Sequence, residues 1–259
     1  MTTSSEIEPT LKKLRLIGCL AHLDEIKDEP WLARLISIES EERARRSLEN
    51  RTRIAGLGTF KSMCDFDWMW PKKIDRPLVE DLFTNRYITE GANIVIVGPN
   101  GVAKTMLLKN FASCALHAGF HVVVRSASDL LADLAGQESS AARARRLRAY
   151  VQPAVLCIDE VGYLSYDTRH ADLLFEVVTR RYEKNKSIVL STNKPFAEWP
   201  SVFPNAACVV TLVDRLLHRA ELVVIEAESY RLREAQERQQ RRATARRKTK
   251  DTPPTPPTT

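Results

Sequence analysis

Eight consecutive residues, Gly98-Pro-Asn-Gly-Val-Ala-Lys-Thr105, have the types and spacing of a phosphate cradle. The order is G-x-x-x-x-G-K-T with one departure, Ala103 in place of the last glycine. An apolar run, Ile94–Val97, precedes the loop and a helical pattern follows it. In a strand–loop–helix of this kind, backbone N–H groups turn inward onto phosphate oxygens, and the helix start adds a partial positive charge. Lys104 is expected to reach the β- and γ-phosphates, and the hydroxyl of Thr105 to ligate magnesium. Gly98, Pro99, Asn100, Gly101, Val102, Ala103, Lys104, Thr105 and Met106 form the expected nucleotide-binding set. The methyl group of Ala103 is tolerable if the backbone there is helical and the methyl points away.

Val155-Leu-Cys-Ile-Asp-Glu160 ends an apolar run on two adjacent carboxylates. In an open α/β sheet this is the carboxyl edge, where ligands bind. Asp159 is expected to order magnesium, directly or through water, and Glu160 to polarise the attacking water as general base. With the phosphate loop upstream, the pair points to ATP and Mg2+ as ligands and to hydrolysis as the reaction. Ser191-Thr-Asn193 ends the next apolar run, so a polar side chain there would lie between the loop and the carboxylates. Asn193 is the first choice to hold the nucleophilic water and Thr192 the second. An asparagine that only caps a helix or turn before Pro195 fits this stretch equally well.

Two arginine-bearing segments have a bland and a sharp reading. Arg215, in Asp214-Arg-Leu-Leu-His-Arg219, is either a surface residue or an arginine finger that reaches a neighbouring subunit's γ-phosphate. Arg143, Arg145, Arg146 and Arg148 cannot all face one way on a helix, so they form either a solvated face or a basic loop along a DNA path.

Positioning these groups requires a sheet. Five short apolar runs, Ile94–Val97, Val122–Val124, Val155–Ile158, Ile188–Leu190 and Leu222–Ile225, alternate with helix-length segments. The pattern predicts a doubly wound, parallel five-stranded α/β sheet. The helices expected between them are Lys104–His117, Ala127–Leu134, Arg169–Lys184 and Leu212–Arg219. Residues 1–57 read as a small helical domain. Leu11, Leu14, Ile17, Leu20 and Leu23 recur on one face, and Pro30 starts a second helix with Trp31, Leu32, Leu35 and Ile36 apolar. A charged third helix is expected from Glu41 to Leu57, its arginines either solvated or touching DNA. Residues 58–236 form the nucleotide-binding domain, opening with an aromatic-rich linker at 58–77. Residues 237–259, Arg/Gln-rich and then Pro/Thr-rich, cannot bury a core and are expected to be disordered.

Of the 259 residues, 44% are apolar, enough for a large core. The five cysteines occur singly, which argues against a zinc ribbon or a disulfide framework, and Cys157 reads as a small buried hydrophobe. The histidines show no metal-ligand spacing. The polar, acidic N-terminus does not read as a signal peptide, and no run approaches the ~20 apolar residues of a membrane span, so a cytoplasmic location is expected. Of the net charge of +6, residues 231–250 carry +7 and the rest −1. A basic tail on a neutral body suggests an anionic polymer as partner, or else only a solubiliser.

The order Gly98–Thr105, Asp159-Glu160, Ser191-Thr-Asn193-Lys-Pro-Phe-Ala-Glu-Trp199, Asp214-Arg-Leu-Leu-His218 and Glu228-Ser-Tyr-Arg231 resembles IstB, the helper ATPase encoded beside certain insertion-sequence transposases. The similarity extends upstream to Leu11–Leu23 and so spans roughly residues 8–235. The resemblance implies an AAA+ fold related to DnaC-type helicase loaders, with a reduced lid. It also implies a homo-oligomer that assembles with ATP on duplex DNA, away from membranes, and recruits a cognate transposase. On this match Asn193 is the sensor residue and Arg215 the arginine finger, and Ala103 would slow turnover without preventing binding.

Three other readings compete. A helicase loader would share the fold but need a helicase-binding N-terminal segment. A small-molecule kinase would need a lid and an acceptor pocket, and would leave the basic tail without a purpose. A DNA adaptor would hold ATP without hydrolysing it.

Overall fold

The computed structural model describes residues 4–163, 167–203, 207–235 and 238–239. The chain divides into two compact units between Ile54 and Ala55. The first unit is helical: α1 (Ser4–Leu14), α2 (Ile17–Ala21), α3 (Leu23–Ile26) and α4, which starts at Pro30 and ends at Ala55. The three-residue leucine spacing falls short of the 3.6-residue helical turn, so one straight helix would carry these side chains progressively round its axis. The chain instead breaks at Arg15, whose φ is 52°. Leu11 and Leu14 are buried with Ile7, Leu32 and Ile36, and Leu16, Cys19, Leu20, Leu23 and Ile26 pack against them. Ile17 falls outside this face and is 74% exposed.

The expected second and third helices are one. From Trp31 to Ala55 no glycine or proline interrupts α4, and it runs 26 residues. Its buried stripe is Leu32 and Ile36; Trp31 and Leu35, one residue further round, are exposed. Arg43 pairs with Glu39, Arg45 with Glu42 and Glu49, and Arg46 with Glu42. Arg45 and Arg46 hold the carboxyl of Glu42 at about 2. These arginines decorate a solvated, self-paired face.

In the second unit, α5 (Arg76–Leu82) and α6 (Arg86–Glu90) lead into β1 (Asn93–Val97). Then follow α7 (Lys104–His117), β2 (Val122–Ser126), α8 (Ala127–Ala135), α9 (Ser140–Val151), β3 (Val155–Val161), α10 (Thr168–Glu183), β4 (Ser187–Thr192), α11 (Trp199–Val202), α12 (Val209–Leu217) and β5 (Ala220–Val224). The five strands are parallel, in the order β2-β3-β4-β1-β5. Every residue of β4 is buried, as is β1 from Asn93 to Ile96, which is why both read as unbroken apolar runs. Leu130, Leu134, Leu174, Val177, Val178 and Leu212 close over Leu156, Ile158, Ile188 and Leu190 in one core. The order sets the ends of β1, β4 and β3 side by side.

Three segments differ from the sequence reading. β3 continues past the carboxylates to Val161. The arginines of 143–148 lie on α9, which Ser139 caps, and not on a loop. The linker at 58–77 packs on its own unit: Asn110 of α7 accepts from the Met63 N–H at 3.1 Å and donates to the Lys61 carbonyl at 2.9 Å. After β5, residues 230–235 are helical. The tail at 237–259 lies, apart from 238–239, outside the described residues. Among the described residues no helix is long and apolar enough to cross a membrane.

Candidate active site

The loop after β1 is built by close backbone approach. At Gly98 a Cβ would stand 2.6 Å from the Ile225 carbonyl oxygen. At Gly101, whose φ is 82°, it would stand 2.3 Å from Ser229 Oγ, so neither position accepts a side chain. The Tyr230 N–H donates to the Gly101 carbonyl at 3.0 Å, and the segment after β5 therefore lies against the loop. Lys104 is buried at the first turn of α7, and its Nζ donates to the carbonyls of Gly98 (2.8 Å) and Pro99 (2.7 Å). Burial lowers the pKa of this ammonium; Asp159 and Glu160 oppose the shift and Arg231 adds to it. Lys104 thus sits within electrostatic reach of both carboxylates and of Arg231. Arg231 was legible beforehand only as part of a family resemblance.

Ala103 corrects an expectation. Its backbone is left-handed, φ 70° and ψ 20°, and not helical. The loop needs this turn to bring the chain into α7, and a glycine would adopt it without strain; in an L-residue it costs roughly 1–2 kcal/mol.

Asp159 and Glu160 occupy a bulge. β3 and β4 are paired in register up to Ile158 with Leu190 and resume at Val161 with Thr192. Two carboxylate residues therefore face one β4 residue, Ser191, and Glu160 takes a left-handed φ of 62°. The three polar residues that end β4 face different partners. Ser191 Oγ accepts from the Glu160 N–H at 2.9 Å and donates to Asp159 Oδ1. Thr192 Oγ1 accepts from the Lys194 N–H at 3.1 Å, turned to its own loop. The Oδ1 of Asn193 is buried with no hydrogen-bond partner among the described residues. A buried acceptor of that kind, beside the phosphate loop and the carboxylates, suits a held water or phosphate-side donor. The geometry favours Asn193 over Thr192 for that task.

The donor set fits magnesium carried in on a nucleotide. Thr105 and Asp159 offer hard oxygen ligands, and such an ion usually takes one or two carboxylates with phosphates and waters. Among the described residues no group of three or more His, Cys, Asp or Glu side chains forms a metal cage. Arg215 is not gathered into this site. Its guanidinium donates to Thr179 Oγ1 and lies over the rings of Phe175 (5.2 Å) and Tyr182 (6.0 Å), all on α10. On α9, Arg146 pairs with Asp133 and lies over Tyr150, while Arg143, Arg145 and Arg148 are exposed.

Comparison with known proteins agrees with this geometry. Residues 19–238 match the family described as IstB-like ATP binding protein. A Geobacillus stearothermophilus protein named for ATP binding in insertion sequence IS5376 is 33% identical over 214 residues, covering 83% of this chain and 85% of its own. Its counterpart from IS21 of Pseudomonas aeruginosa is 31% identical over 238 residues, covering 88% and 89%. Among solved structures, the DnaC helicase loader aligns with a TM-score of 0.50 at 21% identity, over 66% of this chain and 97% of that one. DnaI aligns with a TM-score of 0.53 at 18% identity, over 67% and 90%. These two likenesses establish the fold, the P-loop AAA+ domain. The chain belongs to the IstB-like family of insertion-sequence ATP-binding proteins.

Proposed function

We propose that this chain hydrolyses ATP, assembles in its ATP-bound form on duplex DNA, and there recruits and stimulates the transposase of its insertion sequence. The observation that carries hydrolysis is the meeting, at one sheet edge, of the loop lysine, the Asp159–Glu160 bulge and the unpartnered amide oxygen of Asn193. Glu160 takes a proton from water as the water oxygen attacks the γ-phosphorus. The bond from that phosphorus to the β–γ bridging oxygen breaks, and ADP leaves with the electron pair. Lys104 offsets charge on the transferring group, and Asn193 Oδ1 accepts the second hydrogen of the water. A bound Mg2+, held by Thr105 and Asp159, supplies Lewis-acid charge to the phosphates.

Arg215 would act in trans, exchanging Thr179 for a neighbour's γ-phosphate. Arg143, Arg145 and Arg148 on α9, with the basic tail, supply cations for DNA phosphates. A protein that works on duplex DNA belongs in the cytoplasm. A helicase loader is the weaker reading, because it rests on fold likeness alone, whereas the relatives above 30% identity are insertion-sequence proteins.

Steady-state hydrolysis with and without duplex DNA tests the proposal. Wild type should turn over ATP faster with DNA; no turnover in either condition would leave only an ATP-binding adaptor. Lys104→Ala should bind no ATP. Arg215→Ala should bind ATP yet lose roughly 10³–10⁵ in DNA-stimulated rate. Mixing the two inactive variants should rebuild some working sites, and no recovery in proven mixed assemblies would remove Arg215 from the mechanism.

A further inference from the structure

Ser191 has no chemical role in the reading above, yet its side chain touches both residues that do. It is fully buried on β4, opposite Ile96 of β1 on one side and the β3 bulge on the other. The bulge takes Glu160 out of the regular β3–β4 pairing, and Ser191 Oγ supplies the acceptor for its N–H, at 2.9 Å. The same oxygen donates its proton to Asp159 Oδ1. The direction of these bonds is fixed by chemistry: a backbone N–H can only donate, and a carboxylate can only accept. One hydroxyl therefore holds the side chain of one carboxylate residue and the backbone of the next.

Other buried hydroxyls of the same strand behave differently. Ser187 Oγ donates to the Tyr87 carbonyl at 3.0 Å, and Thr192 Oγ1 serves the Lys194 backbone. Both bind main chain, as a hydroxyl that only completes a fold does. Ser191 instead makes a charge-assisted bond to a carboxylate, a stronger and more directional contact. With Oδ1 held, the Asp159 carboxylate cannot rotate freely, and its other oxygen is left to the ion. With its N–H held, Glu160 keeps the left-handed turn that sets the direction of its side chain.

We infer that Ser191 is a positioning residue for ATP hydrolysis, fixing Asp159 for magnesium and Glu160 for the attacking water from a single hydroxyl. The inference rests on the hydrolysis proposed above and goes beyond it by assigning a residue that never meets substrate. Serine and threonine are the side chains that can accept and donate at this point without adding a charge.

The test compares Ser191→Ala and Ser191→Thr with wild type in the full chain, using a fluorescent ATP analogue for binding and phosphate release for turnover. In EDTA, the affinity of Ser191→Ala for the analogue should stay within about two-fold of wild type, because its phosphate loop is untouched. The tightening of that affinity on adding Mg2+ should shrink, and kcat should fall about 10–100-fold with KM little changed, the usual cost of losing a partner behind a metal ligand. Ser191→Thr should restore most of both. In an Asp159→Asn background, Ser191→Ala should cause no further loss of magnesium dependence, since the carboxylate it holds is gone.

A kcat for Ser191→Ala within two-fold of wild type would overturn the inference. So would a Mg2+ response equal to wild type, or an equal further loss in the Asp159→Asn background. If Ser191→Thr is too crowded to fold, that double-variant comparison still decides. If wild type hydrolyses no ATP, the hydrolysis reading fails by itself, while the magnesium response still shows whether Ser191 holds Asp159.

Discussion

Where the strands of the sheet begin, Arg181, Asn93 and Ser187 direct their hydrogen bonds at the fold; where they end, Lys104, Asp159, Glu160 and Asn193 sit in strained or partly unpaired settings. Arg181 is fully buried, and its two terminal nitrogens donate to the carbonyls of Tyr150, Val151, Pro153, Ala154 and Ser187. Burial pulls its pKa down to about 9, still well above neutral pH, so the group stays charged there. Asn93 accepts from the Ile188 N–H and donates to the Leu216 carbonyl, each at 2.9 Å. The left-handed turn at this edge falls on Asn185, a type that adopts it readily. At the opposite edge the same conformation falls on Ala103 and Glu160, an alanine and a long carboxylate. One edge is arranged for stability, and the other accepts a local cost to keep groups available to a ligand.

Glu160→Gln probes that contrast with the largest expected effect. The amide cannot take a proton, so kcat should drop about 10²–10⁴-fold. ATP affinity and Tm should hold at wild-type values, and protein should accumulate on DNA in its ATP-bound form. A large fall in Tm would mean that Glu160 belongs to the scaffold, and the contrast between the edges would be lost.

Arg181→Met should show the reverse. Five carbonyls lose a charged donor in a dry place, at a cost of about 3–5 kcal/mol. At 2–4 °C per kcal/mol for a domain of this size, that is roughly a 10 °C fall in Tm by calorimetry. Nucleotide affinity of the folded fraction should stay unchanged. A variant as stable as wild type would show that neighbouring groups or water satisfy those carbonyls.

The smallest effect sharpens the comparison most. Ala103→Gly removes left-handed strain and adds chain entropy to the unfolded state, for a net gain of about 1 kcal/mol in chemical denaturation. Unchanged or lower stability would mean that the alanine methyl makes compensating contacts.

These contrasts also mark what a sequence can reveal. The phosphate loop and the carboxylate pair were legible because residue type and order suffice to specify them. The strands were legible because burial on both faces leaves short apolar runs. The single long α4 was missed because a change from apolar to charged texture at Glu41 resembles a boundary when no breaker is present. The bulge, and with it the task of Ser191, depends on pairing between strands some thirty residues apart, for which neither segment alone carries a signal. The conformation of Ala103 was misjudged because substitution in the loop hides the glycine that normally announces a left-handed turn.

Trp70 turns the contact between the loop and the segment after β5 into an optical instrument. Its indole N–H donates to the Glu228 carbonyl at 3.2 Å, and its ring meets Tyr230 edge-on at 5.9 Å. The backbone N–H of Tyr230 is in turn bound to Gly101. Any shift of Gly101 as phosphate enters the loop passes through one residue to the indole, and on the far face the Arg233 guanidinium, 4.5 Å from the ring centroid, moves with it. Indole emission responds to such changes in nearby charge and hydrogen bonding. Replacing Trp31, Trp68 and Trp199 with phenylalanine would leave a single emitter beside the nucleotide site, and association could be followed in a stopped-flow instrument with unlabelled ATP.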